Sequence, residues 1–335
     1  MKFDFLFQFI RKMSIFAVVS SMSKPMAIPT TRTKEKARIY IDTDKCTGCG
    51  TCVEVCKDFG LTLANGKAKV SETPWVGCIA CGHCMAVCPC EAIAINGRTL
   101  SPSDMFDLPP VEKIANYEQL LALFKRRRSI REFTERNVEP EIVEKILQAA
   151  ATSPMGIPPS DVNVLVFDTK EKNRKFSEDF CEYLKGMKWL VSNWFLLLMR
   201  PFWGKINDEL FRQFMRPVFD IYIGKMEKGV NLLNYDAPLA IYFYGSPYAD
   251  PADPIIAAIT AMYAAESLGL GTCMIGSIHP LIQYGGKAKK FRAKYGIKHK
   301  SQEGVFVIFG YPSVKYGKGL KRTFASVTTV KTSNS

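Results

Sequence analysis

The chain has 335 residues, 47% of them hydrophobic and 23% charged, with eleven cysteines and a formal net charge of +13. That length and apolar content exclude a short secreted disulfide scaffold and leave room for about two domains. A basic balance suits nucleic acid, acidic lipid headgroups or an anionic protein. The lysines and arginines are spread out, however, with no zinc finger, no groove-reading helix and no basic run interleaved with aromatics, so no nucleic-acid partner is expected.

Residues 1–37 read as an extension unlike the rest. Met1 to Ile10 is aromatic-rich, Arg11 and Lys12 follow, and Ile15 to Val19 is a short apolar run. A signal-peptide core, an organellar presequence, an interfacial helix or a start codon set too early (Met13 and Met22 are alternatives) all fit. The run is too short to span a bilayer.

Residues 38–100 hold the strongest pattern. Cys46, Cys49, Cys52 and Cys56 read C-x2-C-x2-C-x3-C, and Cys78, Cys81, Cys84 and Cys88 repeat it, with Pro89 directly after. This is the ligand run of a protein carrying two 4Fe–4S clusters, in which the fourth cysteine of each run serves the other cluster. Crossed ligation assigns Cys46, Cys49, Cys52 and Cys88 to one cluster and Cys78, Cys81, Cys84 and Cys56 to the other. Zinc sites use two C-x2-C arms on a longer loop, and buried structural cysteines have no cause to repeat. Cys90, Cys181 and Cys273 fall outside the pattern, with packing as their default role. His83 lies inside the second run, where it shapes the surroundings of the cluster.

Residues 101–118, with prolines at 102, 109 and 110, read as a linker. Residues 119–330 are long enough for a full hydrophobic core. Arg126 to Phe133 opens this part as a charge run. If extended, it points Arg127, Ser129 and Arg131 to one side, and two guanidinium forks with a hydroxyl suit a phosphate dianion. A solvated run before a helix is the plainer reading. Glu139-Pro140 starts a helix whose apolar stripe is Ile142, Val143, Ile146, Leu147, Ala150 and Ala151. Strands are expected at 162–167, 238–244 and 304–310, and a helix, apolar nearly all round, at 255–268. The 181–235 segment, rich in aromatics and methionine, reads as helices packed on the core or a partner subunit, with a substrate lid or a membrane-touching surface as the alternative.

The order R-x-S-x-R, S-P-x-G, a long apolar helix, G-L-G-T-C-x-I-G, G-Y-P and a late basic residue resembles the FMN-dependent nitroreductases over about residues 120–330. With the cysteine repeat in front, the whole chain resembles the ferredoxin–nitroreductase fusions. The resemblance implies an α+β fold, with a small two-cluster ferredoxin-like domain followed by a mixed sheet flanked by helices, and a homodimer binding FMN at its interface. It implies that Arg127, Arg128, Ser129 and Arg131 hold the FMN phosphate and ribityl end. Ile275 and Gly276 would pass the flavin ring, and Arg322, helped by Lys318 or Lys321, would reach the phosphate. One departure stands out. The family's asparagine and glutamine after its serine-proline are replaced by Pro158 and Ser160, which removes an amide beside the flavin pyrimidine.

The expected function is an iron–sulfur flavoprotein oxidoreductase, passing electrons through two clusters to FMN and on to a small electron-poor acceptor such as a nitro compound, quinone or activated alkene. The chemistry belongs to the flavin, so no acid–base residue is assigned. The donor is an external ferredoxin or another low-potential carrier, and NAD(P)H stays open although no dinucleotide fingerprint is present. A cytoplasmic compartment is expected, with organellar or membrane-surface association left open by the extension. The alternative is a non-catalytic electron carrier or redox-sensing subunit.

Overall fold

The computed structural model describes residues 35–330 apart from 58, 59, 157 and 159. The readings of the N-terminal extension therefore lie, but for its last three residues, outside the described residues. Among the described residues no helix is long and apolar enough to cross a membrane.

The cysteine region contains β1 (Arg38–Ile41), α1 (Thr51–Val55), β2 (Leu61–Ala64), β3 (Lys67–Val70), α2 (His83–Ala86) and β4 (Ile93–Asn96). β1 and β4 pair antiparallel from Arg38–Asn96 to Ile41–Ile93. β2 and β3 form a hairpin across Asn65-Gly66, whose φ values of 52° and 72° suit the two-residue turn that asparagine–glycine favours. The core is small: Leu61, Ala68, Met85, Ile93 and Ile95 pack with Cys46, Cys52 and Cys84. So little apolar area stabilises a domain poorly unless a metal group adds to it.

Residues 101–116 run as coil with two short 3₁₀ turns. Helix α3 (Tyr117–Arg126) begins where the Asn116 side chain accepts from the Gln119 N–H at 2.9 Å and the Gln119 side chain returns the bond. Then come α4 (Pro140–Ala151), β5 (Val162–Phe167), α5 (Lys170–Lys185), α6 (Asn193–Leu210), α7 (Arg216–Met226), β6 (Leu239–Gly245), α8 (Asp253–Ser267), β7 (Gly271–Ile275), α9 (Ile278–Leu281), α10 (Gly286–Lys294) and β8 (Gly304–Gly310). All three strands expected from the sequence are present, and β7 adds a fourth.

The sheet order is β5-β6-β8-β7, each pair antiparallel. A parallel bridge from Ser129 to Thr272 on β7 makes the sheet mixed. β6 and β8 are buried along their whole length, which is why they read as unbroken apolar runs. Leu239, Ile241, Phe243, Val305, Val307 and Phe309 face α4 and α8. Tyr242, Tyr244, Phe306, Ile308, Cys273 and Ile275 face α5 and the 187–223 helices. The 181–235 segment thus joins the core through Phe195, Leu196, Met199, Trp203, Phe211 and Phe219. Its outer side leaves Trp194, Leu197, Leu198, Phe202 and Ile206 exposed. Gly204, at φ 76° and ψ 173°, breaks α6.

His279 is one of several polar side chains buried here. His279 Nε2 lies 3.4 Å from the Gln302 carbonyl, which can only accept, so Nε2 carries the proton and Nδ1 accepts from the Tyr242 hydroxyl at 2.8 Å. Burial lowers the His279 pKa from 6.5, against the pull of the Gln302 carbonyl. The unfolded chain then binds a proton below about pH 6.5 that the folded chain refuses, so stability falls as pH drops through that range. Tryptophan-monitored melting at pH 7.5 and 5.5 should show a smaller acid loss in His279→Asn than in the wild-type chain. An equal loss would remove His279 as the cause.

Candidate functional site

The two cysteine runs fold alike. Gly48 and Ala80, each following Cys-x, hold φ of 76° and 60°, and Gly50 and Gly82 hold 80° and 76°. In each run a short helix, α1 or α2, holds the third cysteine and leads to the fourth. Gly48 is needed for a second reason, because a Cβ there would lie 1.9 Å from the Gly66 carbonyl oxygen.

Cys46, Cys49, Cys52 and Cys88 line one small cavity with Thr47, Gly48, Ala68, Ala92 and Ile93. The Ala68 N–H donates to Cys46 Sγ at 3.4 Å, the Ala92 N–H to Cys88 Sγ at 3.2 Å and the Thr51 hydroxyl to Cys49 Sγ at 3.6 Å. The N–H groups of Ala68 and Gly48 hold the Cys46 thiol below its ordinary value, and Thr51 does the same for Cys49. Such donors favour the thiolate that a metal requires. In the second group, burial and then the neighbouring thiols Cys78, Cys81 and Cys56 push Cys84 up to about 12. Burial and then Cys49, Cys88 and Cys46 raise Cys52. The neighbours are therefore those that crossed ligation pairs.

The second site flanks β7. Past α3 the chain runs beside that strand, with the Ile130 N–H donating to the Thr272 carbonyl at 2.9 Å. Gly271 permits the approach, since a Cβ there would meet Ile130 Cγ1 at 2.7 Å. Alternation then sorts the side chains. Arg131, Ser129 and Arg127 all act on the buried Cys273 thiol, lowering a pKa that burial raises. Arg128 turns the other way, donating to the Lys318 carbonyl at 2.6 Å and standing 5.7 Å from the Tyr316 ring. Ile275 is buried and Gly276 exposed at the end of β7, and a Cβ on Gly276 would meet nothing within 4 Å. Arg322 is exposed on the 313–330 tail, and no hydrogen bond or ion pair among the described residues joins it to the arginines.

Sequence reasoning missed Tyr235. Its ring lies 5.7 Å under the Arg131 guanidinium. Tyr235 and Asp236 both hold left-handed backbone, at φ 55° and 50°. A polar network holds them there: Arg174 to Asp236 at 2.6 Å, Asn231 to Asp236 at 2.8 Å, and Asn234 to Asn173 at 2.6 Å. The asparagines at 231 and 234 were the only hint in the sequence.

A nitroreductase family model matches residues 124–311, more than half of the chain, so the chain belongs to the nitroreductase family. A 4Fe-4S dicluster domain matches residues 38–96, so the chain is a fusion of the two. Among curated proteins, it is 32% identical over 153 residues to an FMN reductase (NAD(P)H) of Bacillus subtilis, covering 45% of this chain and 51% of that protein. It is 41% identical over 58 residues to a ferredoxin of Pyrobaculum islandicum, covering 17% of this chain and 51% of that one. The chain thus spans about half the length of these two relatives. A nitroreductase with bound FMN from Bacteroides fragilis aligns at a TM-score of 0.48 and 18% identity, covering 65% of this chain and 100% of that one.

The Gly48 contact yields a test. Gly48→Ala forces the first cysteine loop off the Gly66 carbonyl, and anaerobically purified variant should carry clearly less iron than the wild-type chain. Full iron would show that the loop tolerates the side chain.

Proposed function

We propose that this chain is an iron–sulfur flavoprotein oxidoreductase that holds two 4Fe–4S clusters and FMN and passes electrons to a small electron-poor acceptor. The observation that carries the reading is the pairing of two four-thiol groups with an arginine–serine site in one chain. One supplies single electrons from a low-potential donor, and the other suits the phosphate of a flavin. When bound, FMN supplies the exchange between one-electron uptake and two-electron delivery.

The protein's own residues do the binding and placing. Arg127, Ser129 and Arg131 present charge-assisted donors to a dianion. The Tyr235 ring steadies the Arg131 guanidinium. The bare backbone at Gly276 lets a planar ring approach, and a buried strand behind it excludes water. Protons for reduction come from solvent. Ferredoxin is the donor favoured by the dicluster domain, while the FMN reductase relative keeps NAD(P)H as the alternative. Thiol-ligated clusters favour a reducing, cytoplasmic-type compartment.

A homodimer accompanies this reading. The 313–330 tail exposes Leu320, Phe324, Val327 and Val330, each at least 80% accessible. Apolar side chains so exposed suit an arm laid against a second copy, which would also give Arg322 a site to complete. A carrier or sensor without catalysis is the second reading, favoured by Pro158 where the family has an amide.

Iron and flavin counts test the cofactors: eight irons and one FMN per chain are expected, on the stoichiometry of about four irons per cluster. Zinc, or four irons, would sink the two-cluster reading. Failure of dithionite-reduced protein to turn over nitroaromatics, quinones or enones would favour the carrier. Arg131→Ala should weaken FMN binding by about ten- to a hundredfold in fluorescence titration, the worth of a charged hydrogen bond. Arg128→Ala should cost less, because its guanidinium is engaged by Lys318.

A further inference from the structure

The two cysteine sites sit at opposite ends of the β1–β4 ladder. At one end Ile41 faces Ile93. There the Asp42 N–H donates to the Ala92 carbonyl at 2.8 Å, the Cys46 N–H to the Asp42 carbonyl at 3.0 Å, and the Ala92 N–H to Cys88 Sγ at 3.2 Å. That end carries the Cys46, Cys49, Cys52 and Cys88 site. At the other end Arg38 faces Asn96, and the Ala37 N–H donates to the Cys78 carbonyl at 2.9 Å. That end carries the Cys56, Cys78, Cys81 and Cys84 site.

Beyond Asn96 the chain makes a tight turn. Gly97 and Leu100 exchange backbone hydrogen bonds of 3.0 and 3.1 Å, leaving Arg98 and Thr99 as the two central residues at φ 53° and 68°. Asparagine–glycine suits such a turn, whereas arginine and a β-branched threonine carry strain there. Strain of this kind persists where surrounding contacts over-determine it. Arg98 is 9% exposed. Its Nη1 donates to the Glu35 carbonyl at 3.1 Å and its Nη2 to the Pro158 carbonyl at 3.0 Å.

The Glu35 carbonyl belongs to the segment that leads into β1, and the Pro158 carbonyl to the nitroreductase domain. Glu35 lies two residues before Ala37, which holds Cys78. Pro158 lies in the loop before β5, which is anchored by the Gly156 N–H donating to Asp253 Oδ1 at 3.0 Å and by a Ser153–Thr260 hydroxyl bond of 2.9 Å. Leu100 covers Gly82, next to Cys81, where an added Cβ would lie 3.6 Å from Leu100 Cδ2. The Arg98 link from the dicluster domain to the Pro158 loop thus leaves from the Cys78 end.

We propose that Arg98 is the clamp that docks the dicluster domain on the nitroreductase domain with the Cys56, Cys78, Cys81 and Cys84 site innermost, so that electrons are taken up at the Cys46 site and leave through the Cys78 site. The order of transfer rests on the function proposed above, while the docking does not. Reduction of one bound FMN would take two electrons, one from each of two reduced ferredoxins that are thereby oxidised, and two protons from water. A planar guanidinium fork serves two carbonyls at once, which a lysine ammonium does poorly.

The test is the holoprotein carrying Arg98→Asn with Thr99→Gly, which gives the turn its preferred residues and so keeps the hairpin while removing the clamp. Iron and flavin counts should stay at wild-type values. Hydrogen exchange should quicken at 35–37, 77–82 and 153–160 and stay unchanged at 45–52. Flavin reduction by reduced ferredoxin should slow by roughly ten- to a hundredfold, the scale expected of small misplacements, with reduction by dithionite unaffected. Arg98→Lys should fall between the two. Unchanged exchange and transfer, or exchange quickened at 45–52, would overturn the clamp. Wild-type protein lacking iron or flavin would overturn the function proposed above, yet leave the exchange result to judge the docking by itself.

Discussion

The backbone bond from Ile130 to Thr272 decides which way the side chains of the 127–131 segment point. With the isolated bridge from Ser129 to Thr272 it sets the 127–131 segment beside β7, and backbone held in this way sends alternate side chains to opposite sides. Arg127, Ser129 and Arg131 gather round Cys273, while Arg128 is handed to the C-terminal tail. The bond exists because Gly271 has no Cβ to strike Ile130. A glycine on an edge strand, conformationally ordinary, therefore controls the charge distribution of the site through a close approach.

The cysteine sites were legible because their information is local. Three cysteines within seven residues, twice, specify the loops by spacing alone, and the repeat of left-handed backbone at Gly48 and Ala80 shows that the duplication reaches the main chain. The strands β5, β6 and β8 were legible for a similar reason, being apolar runs bounded by turn residues. Strand β7 was harder. Gly271 to Ile275 is short and opens on a glycine, and only its pairing with β8 makes it a strand.

What the sequence concealed depends on residues far apart in the chain. Tyr235 meets Arg131 because Asn173, Arg174, Asn231 and Asn234 hold an unfavourable turn, and no window of sequence contains that set. Nothing in the local sequence sets Arg98 apart from the other cations of the chain. Its burial comes from a carbonyl 60 residues away. Buried polar networks of this sort are costly unless every member is satisfied, and their satisfaction is a tertiary property.

The positions of the two sites on the sheet constrain how they communicate. Pro158 precedes β5, whereas Arg127, Ser129 and Arg131 flank β7, and these are the two outer strands of the order β5-β6-β8-β7. Three interstrand spacings separate them, about 14 Å at the usual strand separation. A dicluster domain held at Pro158 thus approaches the sheet from the edge remote from the anion site of its own chain. Within one chain, transfer has to cover the width of the sheet. Between chains of a dimer, the distance is set by how the second copy packs. On the function proposed above, the geometry of that packing, more than the identity of any one ligand, sets how far electrons travel.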